Sequence, residues 1–425
     1  MGPSNGEVKL GNLLVEGKTK KIFGIEGEPM LVLAEAKDHL TAFGGEKKHT
    51  LEGKAQVSNL TTCKIFEFLE KAGLPTHFIR QYGERGMIVR KCNMIPIEWV
   101  TRRVATGSFL KRHPKVSEGH VFTPLKLETF FKDDANNDPE WSIEEVGSGA
   151  LTVEGTTITP EMVDEMLLLT RTVFEVLEKA WKSLDCQLID MKIEFGFDVF
   201  SGKILLADVI DNDSWRLWPS GDPRLMKDKQ VYRDASDITP AKLKEILNNY
   251  QWVSDKLDGF LRPPVGRVVI FSGSPDDGEH VNKIIKASQF FGIKNCISRI
   301  SSAHKATKNT LDILATYEAD GVPTVLIAVA GRSNGLGPVL AGNTILPVIN
   351  CPPIKAQDYG TEDVWSSLRL PSGLGCTTSI DTGNAALAAA KILALHDHVV
   401  WSKLRVSQCL NQIRLIHADA AASTP

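Results

Sequence analysis

Few features of this sequence point to a membrane or to an oxidising compartment. Its longest apolar run, about Val325 to Ala330, is far shorter than the ~20 residues that span a bilayer. Residues Met1 to Leu10 carry no apolar stretch of the kind found in secretory signals. The seven cysteines form no CxxC pair, and the nearest two, Cys351 and Cys376, are 25 residues apart. These absences predict a cytosolic protein without a zinc knuckle or a disulfide framework.

A large excess of charge of one sign is also missing. The chain has 49 basic and 52 acidic residues and a net charge of −3, so we expect no nucleic-acid partner and no anionic membrane partner. Hydrophobic residues make up 42% and charged residues 24% of the sequence, as in ordinary globular proteins. At 425 residues the chain can form two or three domains. An enzyme acting on small molecules is the class that this composition favours.

A proline pair marks a boundary between two domains. A helix is predicted from about Pro240 to Phe260, and the following Arg262-Pro-Pro-Val-Gly266 stops it because proline cannot continue a helix. We therefore predict a first domain at residues 1–262 and a second at residues 263–425.

The two predicted domains differ in their pattern of strands and helices. Before the boundary, short strands and long irregular stretches predict an α+β domain, whose clearest helix runs from Thr159 to about Leu184. After the boundary, strands alternate with helices, and the runs Val268–Phe271 and Val325–Val329 are continuously apolar, as in a parallel sheet covered on both faces. This pattern predicts a doubly wound α/β domain. Its predicted strands are Arg267–Phe271, Asn295–Ile300, Thr324–Ala330 and Leu346–Asn350, and its predicted helices are Glu279–Phe291, Lys308–Tyr317, Thr382–Ala394 and His398–Ala418.

A basic turn, Glu16-Gly-Lys-Thr-Lys20, lies near the start of the first domain. It is not the P-loop of nucleotide-binding proteins, because that pattern requires a glycine where this chain has Asn12. Apolar residues on both sides of the turn predict a β-hairpin instead. Such a hairpin can cover nucleotide phosphates, with Lys18 and Lys20 as the positive charges, or it can be an ordinary basic turn.

Two acidic segments, Asp190–Gly196 and Leu206–Leu217, combine strand-forming residues with carboxylates. On adjacent strands they could place Glu194 and Asp208 on one face, close enough to share Mg2+ on ATP phosphates. The alternative is a solvated acidic hairpin, although apolar neighbours such as Phe195 argue against it.

Further polar residues of the first domain lie in two short segments. The segment Arg102-Arg103-Val-Ala-Thr-Gly-Ser108 offers guanidinium and hydroxyl donors that suit a phosphate pocket, or a structural arginine pair at a strand edge. The loop Phe131–Pro139 carries Lys132 and Asp134, and its composition also suits an Asx-rich turn.

In this order, the motifs of the first domain resemble the SAICAR synthetases over about residues 8–262. The resemblance implies an ATP-grasp-like or kinase-like α+β fold. It implies a ligase that joins L-aspartate to 5-amino-4-imidazolecarboxylate ribotide (CAIR), with ATP cleaved to ADP and phosphate through an acyl phosphate. The implied ligands are Gly17, Lys18, Thr19, Lys20 and Lys192 for ATP, Glu194 and Asp208 for Mg2+, Arg102, Ser108 and Arg216 for the ribotide, and Lys132 and Asp134 near the reacting groups. After Asp208 the chain departs from the bacterial pattern, which leaves open whether Asp211 or Asp213 joins the metal shell.

Polar loops follow three strands of the second domain: Ser272–Gly278, Ser301–Lys305 and Ala330–Pro338, and Pro371–Gly375 is a candidate for a fourth. Because parallel strands end at one edge of a sheet, we expect these loops to meet and to bind a ligand there. The first loop opens a helix, whose N–H groups can collect an anion, but it could equally be a helix cap. No GxGxxG pattern is present, so a dinucleotide site is not predicted. The second loop contains His304.

This set of loops resembles the AIR carboxylase family over about residues 266–410, and in particular its animal-type branch. The resemblance implies direct carboxylation of aminoimidazole ribotide (AIR) by CO2, without biotin or ATP. The implied roles are proton transfer for His304, CO2 binding for Ser333 and its loop, and ribotide binding for Ser274, Asp277, Ser302, Lys305, Arg332, Asn334 and Gly335. It also implies a homo-oligomer, an octamer formed through this domain.

The family loop usually reads Gly-Ser-x-Ser-Asp, whereas this chain has Asp276 at the second serine position. An ionised carboxylate there would repel a ribotide phosphate. We therefore expect Asp276 to turn away and cap the helix that begins near Gly278.

The two resemblances together imply a bifunctional enzyme of purine biosynthesis, because the product of the carboxylase is the substrate of the ligase. Two other functions stay open from the residues alone. The first domain could be a kinase of a small metabolite, and the second could be a non-catalytic assembly or regulatory module.

Overall fold

The computed structural model describes residues 8–42, 46–354 and 361–423, with backbone only at Asp134 and Thr361. Backbone contacts divide the chain into two compact units. One unit contains the chain up to Leu261 together with the segment from Val406 onward, and the other is Arg262–Arg405. Within the described ranges, no helix combines the length and the apolar character needed to cross a membrane. All seven cysteines are free thiols.

The first unit is built mainly on two antiparallel sheets. Its strands are β1 (Leu10–Glu16), β2 (Lys20–Ile25), β3 (Leu31–Ala36), β4 (His39–Ala42), β5 (Lys47–Thr50), β6 (Phe78–Tyr82), β7 (Gly86–Arg90), β8 (Cys92–Val104), β9 (Val121–Phe131), β10 (Glu140–Trp141), β11 (Thr152–Val153), β12 (Thr156–Thr157), β13 (Cys186–Asp198), β14 (Ile204–Ala207) and β15 (Trp215–Pro219). One sheet has the order β1-β2-β3-β7-β6 and the other the order β10-β9-β8-β13-β14, with β15 also paired to β13. Two small hairpins, β4-β5 and β11-β12, stand apart from them.

The helices of this unit cover the sheets and carry caps that the sequence signals. They are α1 (Lys54–Ala72), α2 (Ser108–Arg112), α3 (Ile143–Val146), α4 (Pro160–Lys182), α5 (Gln230–Asp234) and α6 (Pro240–Lys256). In α4, the Thr159 side chain accepts a hydrogen bond from the Met162 backbone N–H at 3.4 Å, and Pro160 occupies the first turn. The predicted apolar face of this helix is buried, including Met166 and Val173. The predicted helix is therefore confirmed.

The second unit is a parallel sheet with helices on both faces, as predicted. Its elements are β16 (Arg267–Ser272), α7 (Gly278–Phe290), β17 (Cys296–Ile300), α8 (Thr307–Ala319), β18 (Thr324–Val329), α9 (Leu336–Ala341), β19 (Val348–Asn350), α10 (Trp365–Leu368), β20 (Thr377–Thr378), α11 (Thr382–Leu393) and the first part of α12 (His398–Ser423). The strand order is β17-β16-β18-β19-β20, and every neighbouring pair is parallel. The two-residue strand β20 was not predicted, because its threonines form no apolar run.

The buried strands explain why this sheet needs two helical layers. In β16, Val268 and Ile270 pack with residues of α7 and α11 in one apolar cluster. Val269 and Phe271 point to the other face and pack with residues of α8 and α9. Successive side chains of a strand point to opposite faces, so a continuously apolar strand requires cover on both sides.

The last helix, α12, contributes to both units. The sequence-based division assigns all of it to the second domain, whereas backbone contacts group its residues from Val406 onward with the first unit. In that part of the helix Val406, Cys409 and Ile413 are buried. His417 Nε2 lies 2.8 Å from Glu165 Oε2 on α4.

Candidate active sites

The basic turn near the N-terminus is the tip of the β1-β2 hairpin. Glu16 lies opposite Lys21 in the antiparallel register, and the Gly17 backbone N–H donates to the Lys20 carbonyl at 2.9 Å. Lys18 is exposed at the tip. Lys20 is half-buried and forms an ion pair with Asp208. The hairpin thus presents one lysine to solvent and brings another to the acidic cluster.

Glu194, on β13, is held by two lysines. Lys192 Nζ lies 2.6 Å from Glu194 Oε1, and Lys132 Nζ lies 2.9 Å from Glu194 Oε2. Lys192 also contacts Glu98 on β8 at 2.9 Å. Burial favours the neutral acid, but the two ammonium groups outweigh it and lower the pKa of Glu194 to about 2. Because Glu194 is only 3% exposed, the alternative of a solvated acidic hairpin does not describe this carboxylate.

Sheet register brings Asp208 next to Glu194. In the β13-β14 pair Glu194 lies opposite Ala207, and Asp208 is the next residue along the chain. Asp208 has φ 66°, a left-handed backbone conformation that a non-glycine residue adopts infrequently. These two candidate metal ligands therefore lie near each other at the end of β14. That they share one face and one Mg2+ ion stays a prediction.

Asp213 belongs to a separate charged cluster. Its carboxylate lies 3.3 Å from Lys54 Nζ and 3.1 Å from Lys229 Nζ, and it accepts a hydrogen bond from the Tyr250 hydroxyl at 2.6 Å. Burial opposes ionisation of Asp213, but these lysines outweigh it and lower its pKa. Asp211 is also buried, and burial together with the Asp213 charge raises its pKa. Asp213 is thus already neutralised by protein groups.

Lys54 was missed by the sequence analysis. It is the first residue of α1 and is buried, although cations at a helix N-terminus are unfavourable. Its partner Asp213 lies far away in the sequence, so no local pattern joins the two residues. Only the unfavourable position of a lysine at a helix start could have signalled a buried partner.

The arginines predicted to bind the ribotide form a network with buried carboxylates. Arg102 donates to Glu128 and, at 2.9 Å, to Asp190 Oδ2. Arg216 donates to the same Asp190 oxygen and, at 3.3 Å, to Gln230 Oε1. Arg102 is 3% exposed, so its guanidinium group lies mainly between these two carboxylates. Arg216 is the more accessible of the two.

Gly107 explains the glycine of the Thr-Gly-Ser motif. It has φ 60°, and a Cβ atom at this position would collide with the Arg216 guanidinium. Ser108, the next residue, is exposed and begins α2. The motif therefore places the Gly107 backbone against Arg216, and Ser108 is the next residue along the chain.

The loop after β9 has features of both interpretations made from its sequence. Lys132 reaches Glu194, as described above. The Asp133 backbone N–H donates to the Asp138 carboxylate at 2.8 Å, and the Asn136 side chain donates to the Asp133 carboxylate at 2.7 Å, so side chains of the Asx residues bond within the loop. Asp134 begins a single turn of 3-10 helix, and its side chain lies outside the described part of the structure.

The loops of the second unit start at one edge of the parallel sheet. Ser272, the last residue of β16, lies opposite Ile300 of β17 and Val329 of β18 in the two registers. The loops that follow these three strands therefore begin side by side, as the sequence predicted.

His304 packs directly on the glycine-rich loop after β18. A Cβ atom at Gly335 would collide with the His304 imidazole ring, so only glycine permits this approach. His304 and Lys305 are both exposed, and the Lys305 backbone N–H donates to Ser302 Oγ at 3.3 Å. The structure brings residues of two separate loops together around His304.

Within the glycine-rich loop the predicted residues differ in accessibility. Ser333 is exposed, and Arg332 is exposed with φ 54°. Asn334 is buried, accepts from the Gly337 backbone N–H at 2.9 Å and donates to Ser367 Oγ at 3.0 Å. The Asn334 amide therefore makes contacts within the protein that hold the loop.

The expectation that Asp276 caps α7 is wrong. The residue that immediately precedes α7 is Asp277, and Asp276 lies within a turn of 3-10 helix, Pro275–Asp277. The Asp276 carboxylate accepts a hydrogen bond from the Ser274 hydroxyl at 3.2 Å, and Ser274 accepts from the Asp276 N–H at 3.3 Å. Because Asp276 lies inside this turn, one residue before the position that precedes α7, its carboxylate bonds to Ser274.

Among the described residues, one group of three possible metal ligands lies close together: His113, Glu128 and Glu140. Arg112 already contacts both glutamates, Glu128 at 2.6 Å and Glu140 at 3.1 Å. This group is therefore neutralised by a guanidinium and is not part of the predicted Mg2+ site.

The geometry of the two units agrees with comparisons to known proteins. The family model described as SAICAR synthetase matches residues 13–249, and the model described as AIR carboxylase matches residues 267–412. The SAICAR synthetase of Ehrlichia chaffeensis superimposes with a TM-score of 0.52 at 28% identity, covering 58% of this chain and 99% of that chain. A SAICAR synthetase in complex with ADP superimposes with a TM-score of 0.51 at 30% identity, covering 60% of this chain and 98% of that chain. The chain thus combines a ligase and a carboxylase of ribotide substrates.

Two curated relatives match almost the whole chain, and the name of one of them states both enzyme activities. The multifunctional protein ADE2 of Gallus gallus is 50% identical over 420 residues, covering 99% of this chain and 98% of that protein. The human bifunctional phosphoribosylaminoimidazole carboxylase/phosphoribosylaminoimidazole succinocarboxamide synthetase is 52% identical over 413 residues, covering 97% of each chain. This chain belongs to that bifunctional family of purine biosynthesis, with both AIR carboxylase and SAICAR synthetase activities.

Proposed function

We propose that the second unit adds CO2 to AIR to form CAIR, and that the first unit joins CAIR to L-aspartate while cleaving ATP to ADP and phosphate. The observation that carries the ligase half is the set of lysines around Glu194 and Asp208. ATP use is supported by the related SAICAR synthetase that is known in complex with ADP. The fit of the whole chain to bifunctional relatives supports the coupling of the two steps.

In the ligase half, the hairpin residues Gly17–Lys20 cover the ATP phosphates. Lys18 and Lys20 supply positive charge from the hairpin, and Lys192 supplies it from β13. Lysines whose partners are carboxylates can exchange them for phosphate oxygens, because both are anions. Glu194 and Asp208 then become available for a cation.

Glu194 and Asp208 are a donor set that suits Mg2+. This ion is commonly bound by one or two carboxylates, with phosphate oxygens and waters completing its shell. The ion-pair partners of both carboxylates are lysines, so a divalent cation can take the place of these ammonium groups. When bound, Mg2+ would neutralise charge on the ATP phosphates. Asp213 is engaged by three protein groups, so we assign it a structural role.

The ligase reaction proceeds through an acyl phosphate on the CAIR carboxylate. A carboxylate is a poor acceptor for an amine until one of its oxygens becomes part of a good leaving group. Lys132, next to Glu194, orients the reacting carboxylate, and Asp134 lies near the attacking aspartate amine. Arg216 and Ser108 bind the ribotide directly, and Arg102 binds it or holds Arg216 through their shared carboxylate, Asp190.

In the carboxylase half, the electron-rich aminoimidazole ring is itself the nucleophile. No biotin and no ATP are required for this step. His304 removes the proton from the imidazole carbon after CO2 adds, and Ser333 with its loop holds CO2. The contact of His304 with Gly335 supports this pairing of proton acceptor and CO2 site. The ribotide is bound by Ser274, Asp277, Ser302, Lys305, Arg332 and Gly335, with Asn334 holding the loop.

We also propose that the protein assembles as a homo-octamer through its carboxylase unit and resides in the cytosol. The seven free thiols are consistent with a reducing compartment. Sedimentation equilibrium of the full chain would test the assembly. A monomer or dimer at micromolar concentration would contradict it.

An omission experiment tests the proposed function. The full chain is incubated with AIR, bicarbonate, L-aspartate and Mg-ATP, and each component is left out in turn. SAICAR should form only in the complete mixture, and CAIR should form without aspartate and ATP. A phosphate ester without aspartate would instead identify a kinase. Absence of CAIR in every mixture would identify the second unit as a non-catalytic module.

A further inference from the structure

We propose that Lys37 is a positioning residue for ATP in the ligase half, which sets the tip of the β1-β2 hairpin from the face opposite Lys20. The inference rests on the proposed role of Lys18 and Lys20 as phosphate ligands. Lys37 follows β3 directly and lies outside the Glu16–Lys20 turn.

Strand register separates the two faces of the hairpin. Lys20 lies opposite Ala36, and Lys21 lies opposite both Glu16 and Glu35. Because successive side chains alternate, Glu16, Lys21 and Glu35 share one face and Lys20 points to the other. Lys20 reaches Asp208 from its face. A residue that contacts the Glu16 side chain therefore lies on the face of the hairpin opposite Lys20.

Lys37 makes three contacts with the tip. Its Nζ donates to Glu16 Oε1 at 2.7 Å and to the Gly17 carbonyl at 3.0 Å. Its backbone N–H donates to the Thr19 carbonyl at 2.7 Å. One residue outside the hairpin thus bonds to three of the residues that flank or form the turn. Hydrogen bonds from an ammonium group are among the stronger ones in proteins.

The surroundings make this ion pair important for the conformation of the turn. A cavity of about 380 Å³ opens on this face of the hairpin, and charged side chains make up most of its lining: Glu16, Lys21, Glu35, Lys37, Asp38 and Arg85. Apolar packing on this face therefore contributes little to the conformation of the hairpin tip. The polar contacts of Lys37 supply the restraint instead.

The position of Lys37 is itself well defined. Its neighbour Asp38 accepts a hydrogen bond from the Ala55 backbone N–H in the first turn of α1 at 2.9 Å. Asp38 also lies 3.0 Å from Arg85 Nη1. The start of α1 carries the buried Lys54, which pairs with Asp213. The chain segment Lys37-Asp38 therefore links the tip of the hairpin to the start of α1 and to the charged cluster around Asp213.

The test compares Lys37→Met with Lys21→Met in the full chain. Both changes remove one positive charge from the same side of the hairpin, but Lys21 Nζ lies 3.8 Å from Glu16 Oε1, beyond hydrogen-bond distance. We expect Lys37→Met to raise the KM for ATP about tenfold, the effect of losing a charge-assisted hydrogen bond, with kcat changed less than about threefold. Lys21→Met should leave the KM for ATP unchanged, and Lys37→Arg should largely restore it. Carboxylase activity of the same preparations should not change.

A second variant tests the same ion pair in case Lys37→Met does not fold. Glu16→Gln keeps the lysine and its bond to the Gly17 carbonyl but removes the ion pair, so the KM for ATP should rise about threefold. Equal KM values in Lys37→Met and Lys21→Met would overturn the inference, as would a Lys37→Arg variant as impaired as Lys37→Met. Lys20→Met separates this inference from the proposed function. An unchanged KM for ATP in Lys20→Met would reject the phosphate role of the hairpin. If the KM for ATP is raised in Lys20→Met but normal in Lys37→Met, only the role of Lys37 is rejected.

Discussion

The two candidate sites use charge in different ways. In the ligase unit, Glu194 and Asp208 lie on neighbouring segments of an antiparallel sheet, and each is paired with lysine. In the carboxylase unit, His304 and Ser333 are exposed on loops at the edge of a parallel sheet. The first site is built from a buried and a half-buried carboxylate with the lysines that neutralise them, and the second from exposed groups on a glycine-rich backbone.

This difference follows from the cost of removing charges from water. A buried charge requires a partner, so a site on the face of a sheet must supply counter-charges from its neighbours. Loops at a sheet edge keep their polar groups in water and require close backbone approach, which glycine permits. The ligase site should therefore be sensitive to loss of charge, and the carboxylase site to loss of one exposed group or to an added Cβ.

The largest expected effect is that of His304→Asn on the carboxylase. Asparagine retains some hydrogen bonding but cannot accept a proton near neutral pH, and such a loss typically costs about 100- to 10,000-fold. We expect CO2 addition to fall by that factor while AIR binding is largely retained. The rate of CO2 addition is measured as turnover of AIR with bicarbonate, and the affinity for AIR is measured by calorimetry.

The control for this variant is His396→Asn, which changes an exposed histidine of the same unit. Ligase activity should be normal in both variants. Lost AIR binding with normal turnover per bound ligand would show that His304 is a binding residue.

In the ligase site, we expect Asp208→Asn to lower turnover by about 100-fold or more, because it removes a negative charge where Mg2+ would be held. Carboxylase activity should survive, since its residues lie in the other unit. Asp255→Asn, which changes an exposed aspartate of α6, is the matched control. Near-normal ligase turnover in Asp208→Asn would remove this residue from the metal site.

The Glu194 ion pairs should make stability depend on pH. The pKa of Glu194 is lowered from 4.5 to about 2, so its ionised form stabilises the folded state above pH 4.5 by roughly 3 kcal/mol, at 1.36 kcal/mol per pKa unit. This contribution is lost as the pH falls from 4.5 towards 2. The difference in free energy of unfolding between the unmodified protein and Glu194→Gln should stay constant from pH 7 to about 5 and shrink below that. A difference independent of pH down to 3 would contradict the lowered pKa.

A smaller effect is expected where the carboxylase loop meets His304. Gly335→Ala places a methyl group against the imidazole ring and should displace it, which we expect to lower carboxylase turnover about tenfold. Gly375→Ala is the control, because no atom lies within 4 Å of a Cβ built there. Equal activity of the two variants would show that His304 can move without consequence.

The smallest effect is expected at Asp276. Because its carboxylate accepts a hydrogen bond from Ser274, Asp276→Ser removes a negative charge and leaves Ser274 available to the ribotide phosphate. AIR binding measured by calorimetry should be unchanged or up to about threefold tighter. Clearly weaker binding would show that Asp276 contacts the ligand productively.

Local sequence patterns predicted much of the fold. The helix after Thr159, the hairpin around Gly17 and the alternating strands and helices after Gly266 all depend on residues that are close in the chain. Capping, turn formation and apolar periodicity act over such distances, so they can be read from the residues directly.

Pairings between distant residues could not be predicted in this way. Lys54 with Asp213 and Arg102 with Glu128 join residues that no local pattern connects. The Asp276 expectation failed because a short 3-10 turn, and not the helix itself, follows Pro275. The distribution of α12 between the units depends on which surface its buried residues contact, and helical periodicity does not specify that surface.

The sequence by itself determined the two enzyme families, their order and the residue types that can carry each reaction. The tertiary structure decided which lysine pairs with which carboxylate, that Asn334 holds its loop, and that His304 rests on Gly335. The physical reason is that charge pairing and close packing depend on strand register and on the meeting of loops, and both are set only when the whole unit folds.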